Sequence, residues 1–468
     1  MSATDTGNAP AEISPSLARR AVPILLAVFV FSLVIDNAFK YVTGAIATSL
    51  DLSLNAAGLQ ATIPGILIGI GAVVYAALAD AVSIRRLTVL AIILICIGSI
   101  VGFAFQGSWG LVLTGRIVQT AGLAAAETLY VIWVTKHFAG AQQKAYLGFS
   151  TAAFQLSLLL GVVGGGFIAT YVSWPVLFLA ALLPLLALPV VLKTVPPEQT
   201  RSSSLDVFGL FLVAVVAGGI IMFLQAFQWL YLVAVVIALG LFVWHVARNP
   251  KALISPAFFA NKQYTLVLLV VFVMYSVQLG YVVTFPVLME ATHGMSGAES
   301  SLLLIPGYIC AVLVGVFTGA IARFLDSHRA IVLALVLITV ALLVPAFFVD
   351  APVAVYILSM ALFPSGFALM YAPLLSTAVK SIAPEKTGVA IGFYNLTINM
   401  AIPIGIAYTL NLIGQNLGFM SGLASPAGAP FAAVMLILGL IGVLAIVMYL
   451  SFARVLHRDN APVEQPVA

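Results

Sequence analysis

The chain predicts an all-α, polytopic membrane protein: two six-helix bundles plus two central extra helices, about fourteen transmembrane helices in all. Three observations carry this. Of the 468 residues, 63% are hydrophobic and only 7% charged, and mean hydropathy is +1.19, a composition outside the soluble globular range. Most apolar runs reach the roughly 20 residues that a helix needs to cross a bilayer. The polar gaps between them also alternate in charge. One set holds Arg19/Arg20, Arg85/Arg86, Lys136/Lys144, Lys193/Arg201, Arg248/Lys251/Lys262, Arg323/Arg329, Lys380/Lys386 and Arg454/Arg458. The gaps at 50–57, 106–109, 171–173, 225–229, 289–299, 347–352 and 413–427 hold no lysine or arginine. Positive loops stay in the cytoplasm, so both termini are expected inside and the number of spans is even.

In chain order, residues 1–20 read as a disordered cytoplasmic tail, small and polar before its arginines, with no cleavable secretory signal. Spans are predicted at 21–46, 58–80, 87–105, 109–135, 145–171 and 174–193, which make the N-terminal six-helix bundle (21–193). The segment 194–263 is a linker carrying two extra spans, 206–226 and 229–246, between the two longest cytoplasmic connectors, 194–205 and 247–263. Spans at 264–288, 299–322, 330–348, 352–377, 387–412 and 429–453 make the C-terminal bundle (264–455), and 456–468 is a cytoplasmic tail. A weak internal repeat supports the division: Ala76-Ala-Leu-Ala-Asp80 leads to Arg85/Arg86, and Gly319-Ala-Ile-Ala-Arg323 leads to Asp326 and Arg329. Two related helical halves around a midplane site are a plan that secondary transporters use.

Several functions are disfavoured. The net charge of +4 belongs to cytoplasmic loops facing anionic lipid rather than to a nucleic-acid surface. Cys96 and Cys310 lie far apart in apolar runs, which suggests neither a disulfide framework nor a metal site. His137, His245, His293, His328 and His457 all fall near span ends or in loops, so a histidine-based membrane enzyme is not expected and no catalytic residues are assigned. No phosphate-cradling Gly-x-x-x-x-Gly-Lys sequence occurs, so the energy source is expected to be an ion gradient, with no cofactor.

Four ionisable residues lie well inside apolar spans: Asp36 and Lys40 on the first, Arg116 and Glu127 on the fourth. Such charges are costly in a membrane and mark ion or substrate pathways. Asp36 and Lys40 are four apart and share a helix face. Arg116 and Glu127 are eleven apart, about three turns, and share another. Asp36 lies roughly 22 Å from the cytoplasmic end and Arg116 roughly 10 Å from the outer end, so in a core about 30 Å thick they can meet at similar depth if the two helices are adjacent. Burial disfavours a charged carboxyl and a nearby cation favours it. Asp36 or Glu127 is therefore the expected proton carrier, with Arg116 tuning it; a purely structural pinning of the helices is the alternative. The C-terminal spans are nearly free of charge, and Tyr275, Gln278, Tyr281, Tyr371, Tyr394, Asn395 and Asn399, with Phe272 and Met370, form a possible substrate wall or ordinary packing.

These residues resemble the major facilitator superfamily, in particular its fourteen-span drug:proton antiporter family of tetracycline and quaternary-ammonium exporters. Asp80, Arg85 and Arg86 stand where the signature loop Gly-x-Leu-Ala-Asp-x-x-Gly-x-Arg-Arg has its acid and arginines, with Ala76 and Ser83 replacing the glycines. Arg116, Gln119 and Gly122 match the fourth-span motif Arg-x-x-Gln-Gly-x-Gly, whose arginine the family links to proton transfer. Phe31-Ser-Leu-Val-Ile-Asp36 is similar to the acidic first-span motif, although Tyr41 and Ala45 replace its usual Asn and Pro and Lys40 is an addition. Leu205-Asp206-Val-Phe-Gly209 and Ser255-Pro-Ala-Phe-Phe259 bracket the extra pair as in fourteen-span members. In the fifth span Gly161, Gly165 and Gly166 fit Gly-Pro-x-x-Gly-Gly, but Val162 replaces the proline.

The resemblance implies export of small organic compounds in exchange for protons by alternating access across the plasma membrane. Asp36 and Glu127 favour a cationic substrate such as a drug, dye, quaternary ammonium compound or diamine; Lys40 and Arg116 offset that field and leave a zwitterion or anion open. A proton-coupled permease for an amino acid or organic acid is the alternative. The expected partners are a small-molecule substrate, protons and the lipid bilayer, without nucleic acid, and a monomer is the expected unit.

Overall fold

In the structure, a computed structural model, residues 14–138, 140–197, 206–249, 261–317, 321, 324–380, 382 and 387–456 are described. They are helical with no strand among them, and fourteen of their segments are long and apolar enough to cross a bilayer. The helices in order are α1 (Pro15–Tyr41), α2 (Thr43–Ser49), α3 (Leu54–Ala81), α4 (Ile84–Ala104), α5 (Trp109–His137), α6 (Gly140–Tyr171), α7 (Val176–Ala180), α8 (Leu188–Thr194), α9 (Val207–Ala226) and α10 (Trp229–Arg248). Then come α11 (Lys262–Tyr275), α12 (Gln278–His293), α13 (Gly297–Leu302), α14 (Ile305–Val316), α15 (Ser327–Phe347), α16 (Val353–Val379), α17 (Thr387–Gly414) and α18 (Ala429–Leu456). The expected N-terminal tail up to residue 13, residues 198–205 and 250–260 of the connectors, Arg323 and the tail beyond 456 lie outside the described residues.

Four predicted spans differ from continuous rods, the tenth breaking into α13 and α14 at Leu303 and Leu304 just ahead of Pro306. The sixth is split into α7, a 3-10 turn at Leu183–Ala187 and α8, because Pro184 and Pro189 each remove a backbone donor. The ninth breaks between α11 and α12 at Ser276 and Val277. There Ser276 Oγ donates to the Val273 carbonyl at 2.7 Å, and Tyr408 Oη on α17 donates to the Ser276 carbonyl at 3.2 Å. Side-chain donors of this kind compete with the helical ladder. The first predicted span ends as α1 at Tyr41, and Thr43 restarts the chain as α2.

Helix α1 packs on α5 and α6, while α5 also packs on α3 and α4. On the C-terminal side α16 packs on α14 and α15, and α18 on α11 and α15. The extra pair leans on the rest through α9, where Ala217 and Ile221 pack with Ile66 of α3 and Ile404 and Ala407 of α17. No pattern within α9 marks this docking face, since the helix is apolar all round.

Between the N- and C-terminal spans, α3 lies along α17 and α6 against α13 and α14. At the end free of lysine and arginine the seam is closed by hydrogen bonds: Tyr41 Oη donates to the Gly297 carbonyl at 3.2 Å, and the Ala298 amide to Thr170 Oγ1 at 2.9 Å. Gly166 abuts the same turn, where a Cβ would lie 2.6 Å from the Gly297 carbonyl oxygen.

Close backbone approach sets where the site forms. A Cβ on Gly115 would lie 2.6 Å from the Gly102 amide nitrogen and 2.7 Å from the Gly98 carbonyl. Backbone cannot yield as a side-chain tip can, so only glycine permits this α4–α5 contact. Gly115→Val is expected to force the helices apart and to cost several kcal/mol, as overpacking does, about 1–3 or more. A thermal-unfolding shift of detergent-solubilised protein checks this; an unchanged melting temperature contradicts it.

Candidate functional site

Asp36 and Lys40 come from α1, Arg116 and Gln119 from α5, and Ser99 from α4. They form one continuous polar chain. Gln119 Nε2 donates to Ser99 Oγ at 2.9 Å, and Arg116 Nη1 donates to Gln119 Oε1. Arg116 Nη2 reaches Asp36 Oδ1 at 3.2 Å, and Lys40 Nζ pairs with Asp36 Oδ2. Each oxygen of Asp36 therefore holds one cation. The Arg116 guanidinium also lies 4.1 Å from the centroid of the Phe39 ring, so it is held by charge, by hydrogen bonds and by an aromatic face.

The cluster is sealed from solvent. Arg116 and Gln119 are 0% exposed, Asp36 2% and Lys40 8%. In so dry a place an unpaired charge is expensive, which explains the tight pairing. The floor is tied too: Thr43 Oγ1 donates to the Lys40 carbonyl at 2.8 Å, and Gln60 Nε2 donates to the Phe39 carbonyl at 2.8 Å. Helix α6 closes the other side. Cβ atoms on Gly161 and Gly165 would meet the Val34 and Ala38 carbonyl oxygens at 2.6 and 2.9 Å. The glycines of the fifth-span motif thus bring α6 onto α1 beside Asp36 without the motif's proline. Gly122 does the same for α4, where a Cβ would lie 2.8 Å from the Ile95 amide nitrogen.

Glu127 stands apart from this network. It shares a face of α5 with Arg116, but it makes no ion pair among the described residues, and its Oε1 is buried without a hydrogen-bond partner. Arg116 Nε and Thr120 Oγ1 on α5 are likewise buried and unpartnered. Arg85 and Arg86 open α4 as the signature loop requires, and the side chain of Asp80 lies outside the described residues.

The expected substrate wall divides into separate groups. Tyr371 Oη donates to Asn395 Oδ1 at 3.2 Å, and the Tyr371 and Tyr394 rings meet edge-on at 5.8 Å. Tyr275 is buried against Phe367, with ring centroids 5.3 Å apart. Tyr281 is spent on Ser359 at 2.9 Å. Asn399 belongs to the α3 seam, where it faces Gly69. Gln278 alone opens onto a small cleft between the halves, lined by Gln155, Leu158, Tyr308, Phe363 and Phe367 among others.

Sequence reasoning missed Phe39, Ser99, Gln155 and Tyr308. Phe39 was findable, three residues from Asp36 on the same helix face, and Gln155 is a lone amide inside an apolar run. Ser99 carried no signal, because its role depends on the packing of α4 on α5.

Against known proteins, the chain matches the Major Facilitator Superfamily over residues 24–406. It is 23% identical over 400 residues to the multidrug resistance protein Stp of Mycobacterium tuberculosis, covering 82% of this chain and 73% of that one. It is 24% identical over 399 residues to a putative multidrug resistance protein, MdtD, of Enterobacter sp. (strain 638), covering 81% and 82%. Among solved structures, a D-xylose–proton symporter superposes with a TM-score of 0.65 at 16% identity, covering 93% of this chain and 97% of that one. A peptide-bound POT family transporter gives 0.69 at 14% identity, covering 94% and 97%.

A lysine at 116 can offer charge but not the planar fork that reaches Gln119 and Asp36 together while lying over Phe39. Arg116→Lys is expected to leave the protein in the membrane and to lower transport about tenfold or more, the loss of one charge-assisted contact. Transport at the wild-type rate contradicts the reading.

Proposed function

The chain belongs to the Major Facilitator Superfamily, and from that premise we propose that it exports small organic, cationic compounds from the cell in exchange for protons. It is a multi-pass membrane transporter. The single observation that carries the coupling is the buried chain Lys40–Asp36–Arg116–Gln119–Ser99, which links three helices by titratable and polar groups in a dry core. A transporter that only packs its helices has no need of such costly charges. The multidrug resistance relatives Stp and MdtD support export of drugs or related compounds. The reading keeps an N-terminal bundle at 21–193, the extra pair within 194–263 and a C-terminal bundle at 264–455. It puts both termini in the cytoplasm, the arginine-free ends outside, and the protein in the plasma membrane as a monomer.

Within this reading the two bundles rock about the central site. The seam at the Gly297 turn is closed, which suits a conformer loaded from the cytoplasm. The Gln278 cleft with Gln155, Tyr308 and Phe363 would contact the apolar body of the substrate.

Removing the Asp36 carboxylate leaves Lys40 and Arg116 without a counter-charge. Asp36→Asn is expected to abolish proton-coupled efflux in membrane vesicles while the protein still inserts. Undiminished pH-driven flux in that variant contradicts the assignment. A permease for an acid or amino acid would instead move substrate and proton in the same direction, which the sign of the pH change on substrate addition decides.

A further inference from the structure

We propose that Glu127 is the exchange site, where the proton and the positive charge of an organic cation compete for one carboxylate, while Asp36 serves as the fixed counter-ion of Lys40 and Arg116. The inference rests on the exporter reading and refines it. A competitive site needs an acid with an unfilled oxygen. Each oxygen of Asp36 already faces a cation, Lys40 at Oδ2 and Arg116 at Oδ1. Glu127 has an unfilled oxygen, because its Oε1 is buried and unpartnered. Buried polar atoms without partners are rare in native proteins and call for a ligand, a water or a proton.

Its surroundings fit the role. Arg116 lies three turns away on the same face of α5, with its Nε unpartnered, and Thr120 Oγ1 between them is unpartnered as well. Residues 116, 120 and 127 fall within about 40° on a helix turning 100° per residue. This narrow polar stripe against α1 is a path for water or a proton between the exchange site and the Asp36 cluster. From α3 the Tyr75 phenol is spent on the Ala121 carbonyl at 2.8 Å. On α5 itself, Tyr130 Oη is spent on the Tyr146 carbonyl at 2.8 Å. Neither phenol satisfies Glu127.

The arrangement also accounts for Lys40. The buried cluster contains one acid and two bases, so by itself it repels a cation. Attraction for a cation must then come from another acid, and Glu127 is the acid within the spans on the α5 face that carries Arg116. A proton on Glu127 and a bound cation carry the same charge, so one displaces the other without a change in the net charge of the site.

The test uses the purified full-length protein with ethidium and tetraphenylphosphonium as probes. Dicyclohexylcarbodiimide, which attacks protonated carboxyls in apolar surroundings, is expected to modify Glu127 and not Asp36, with either cation protecting. Cation addition should release protons from the wild type. Glu127→Gln should abolish that release and weaken cation binding about tenfold, the value of one ionic contact near 1.4 kcal/mol, and Glu127→Asp should restore part of both. Modification at Asp36 in place of Glu127, or wild-type proton release from the Glu127→Gln protein, overturns the inference and leaves the exporter reading standing. A wild-type protein that neither transports the cations nor releases protons sinks the exporter reading and this inference together. The labelling arm needs no variant, so a poorly folding substitution leaves the question decidable.

Discussion

Asp36 is held between two cations in a nearly fully buried place, and the rest of the N-terminal architecture is organised around keeping it there. Breaking one side of a buried ion pair typically costs about 3–5 kcal/mol. That energy fixes the register of α1 against α5, since Asp36 meets Arg116 only at one relative height. Glycines on α4, α5 and α6 then allow the backbones to close around the pair. The sealing of the cluster follows from their absence of side chains.

This constraint is also a functional resource. A charge cluster that is fully paired in one conformer can be rearranged only if the helices carrying it move. In the proposed mechanism this links proton binding to helix position, as a coupled transporter requires. The C-terminal spans are nearly free of charge and contribute amides and aromatic rings instead, with Gln278 and Gln155 both lining the cleft. In the proposed mechanism one half of the molecule supplies the electrostatics and the other the apolar contact surface.

Much of this was legible in the sequence. Length and hydropathy identify the spans, because a bilayer admits only fully hydrogen-bonded helices of a minimum length. Counting rises along two helices put Asp36 and Arg116 at similar depth, so that they meet once α1 packs on α5, and the spacing of Asp36 and Lys40 put them on one helix face. What failed to appear depended on contacts between distant segments. The break at Ser276 is made by Tyr408 and Gly405 from α17, and no local pattern at 276 announces it. The tyrosines of the expected wall looked equivalent as residue types, yet packing assigns Tyr281 to Ser359 and Tyr371 to Asn395. Glu127 was visible as a charge inside a span, but that its Oε1 lacks a hydrogen-bond partner among the described residues appears only when the neighbours are in place.

The central claim is that a buried carboxyl in the N-terminal bundle changes protonation when substrate binds. Isotope-edited infrared difference spectroscopy of the purified protein, recorded with and without an organic cation, reads carboxyl protonation directly. The account predicts that cation binding removes the C=O stretch of a protonated buried carboxyl and adds the bands of a carboxylate. A difference spectrum in which cation binds and no carboxyl changes state would contradict it.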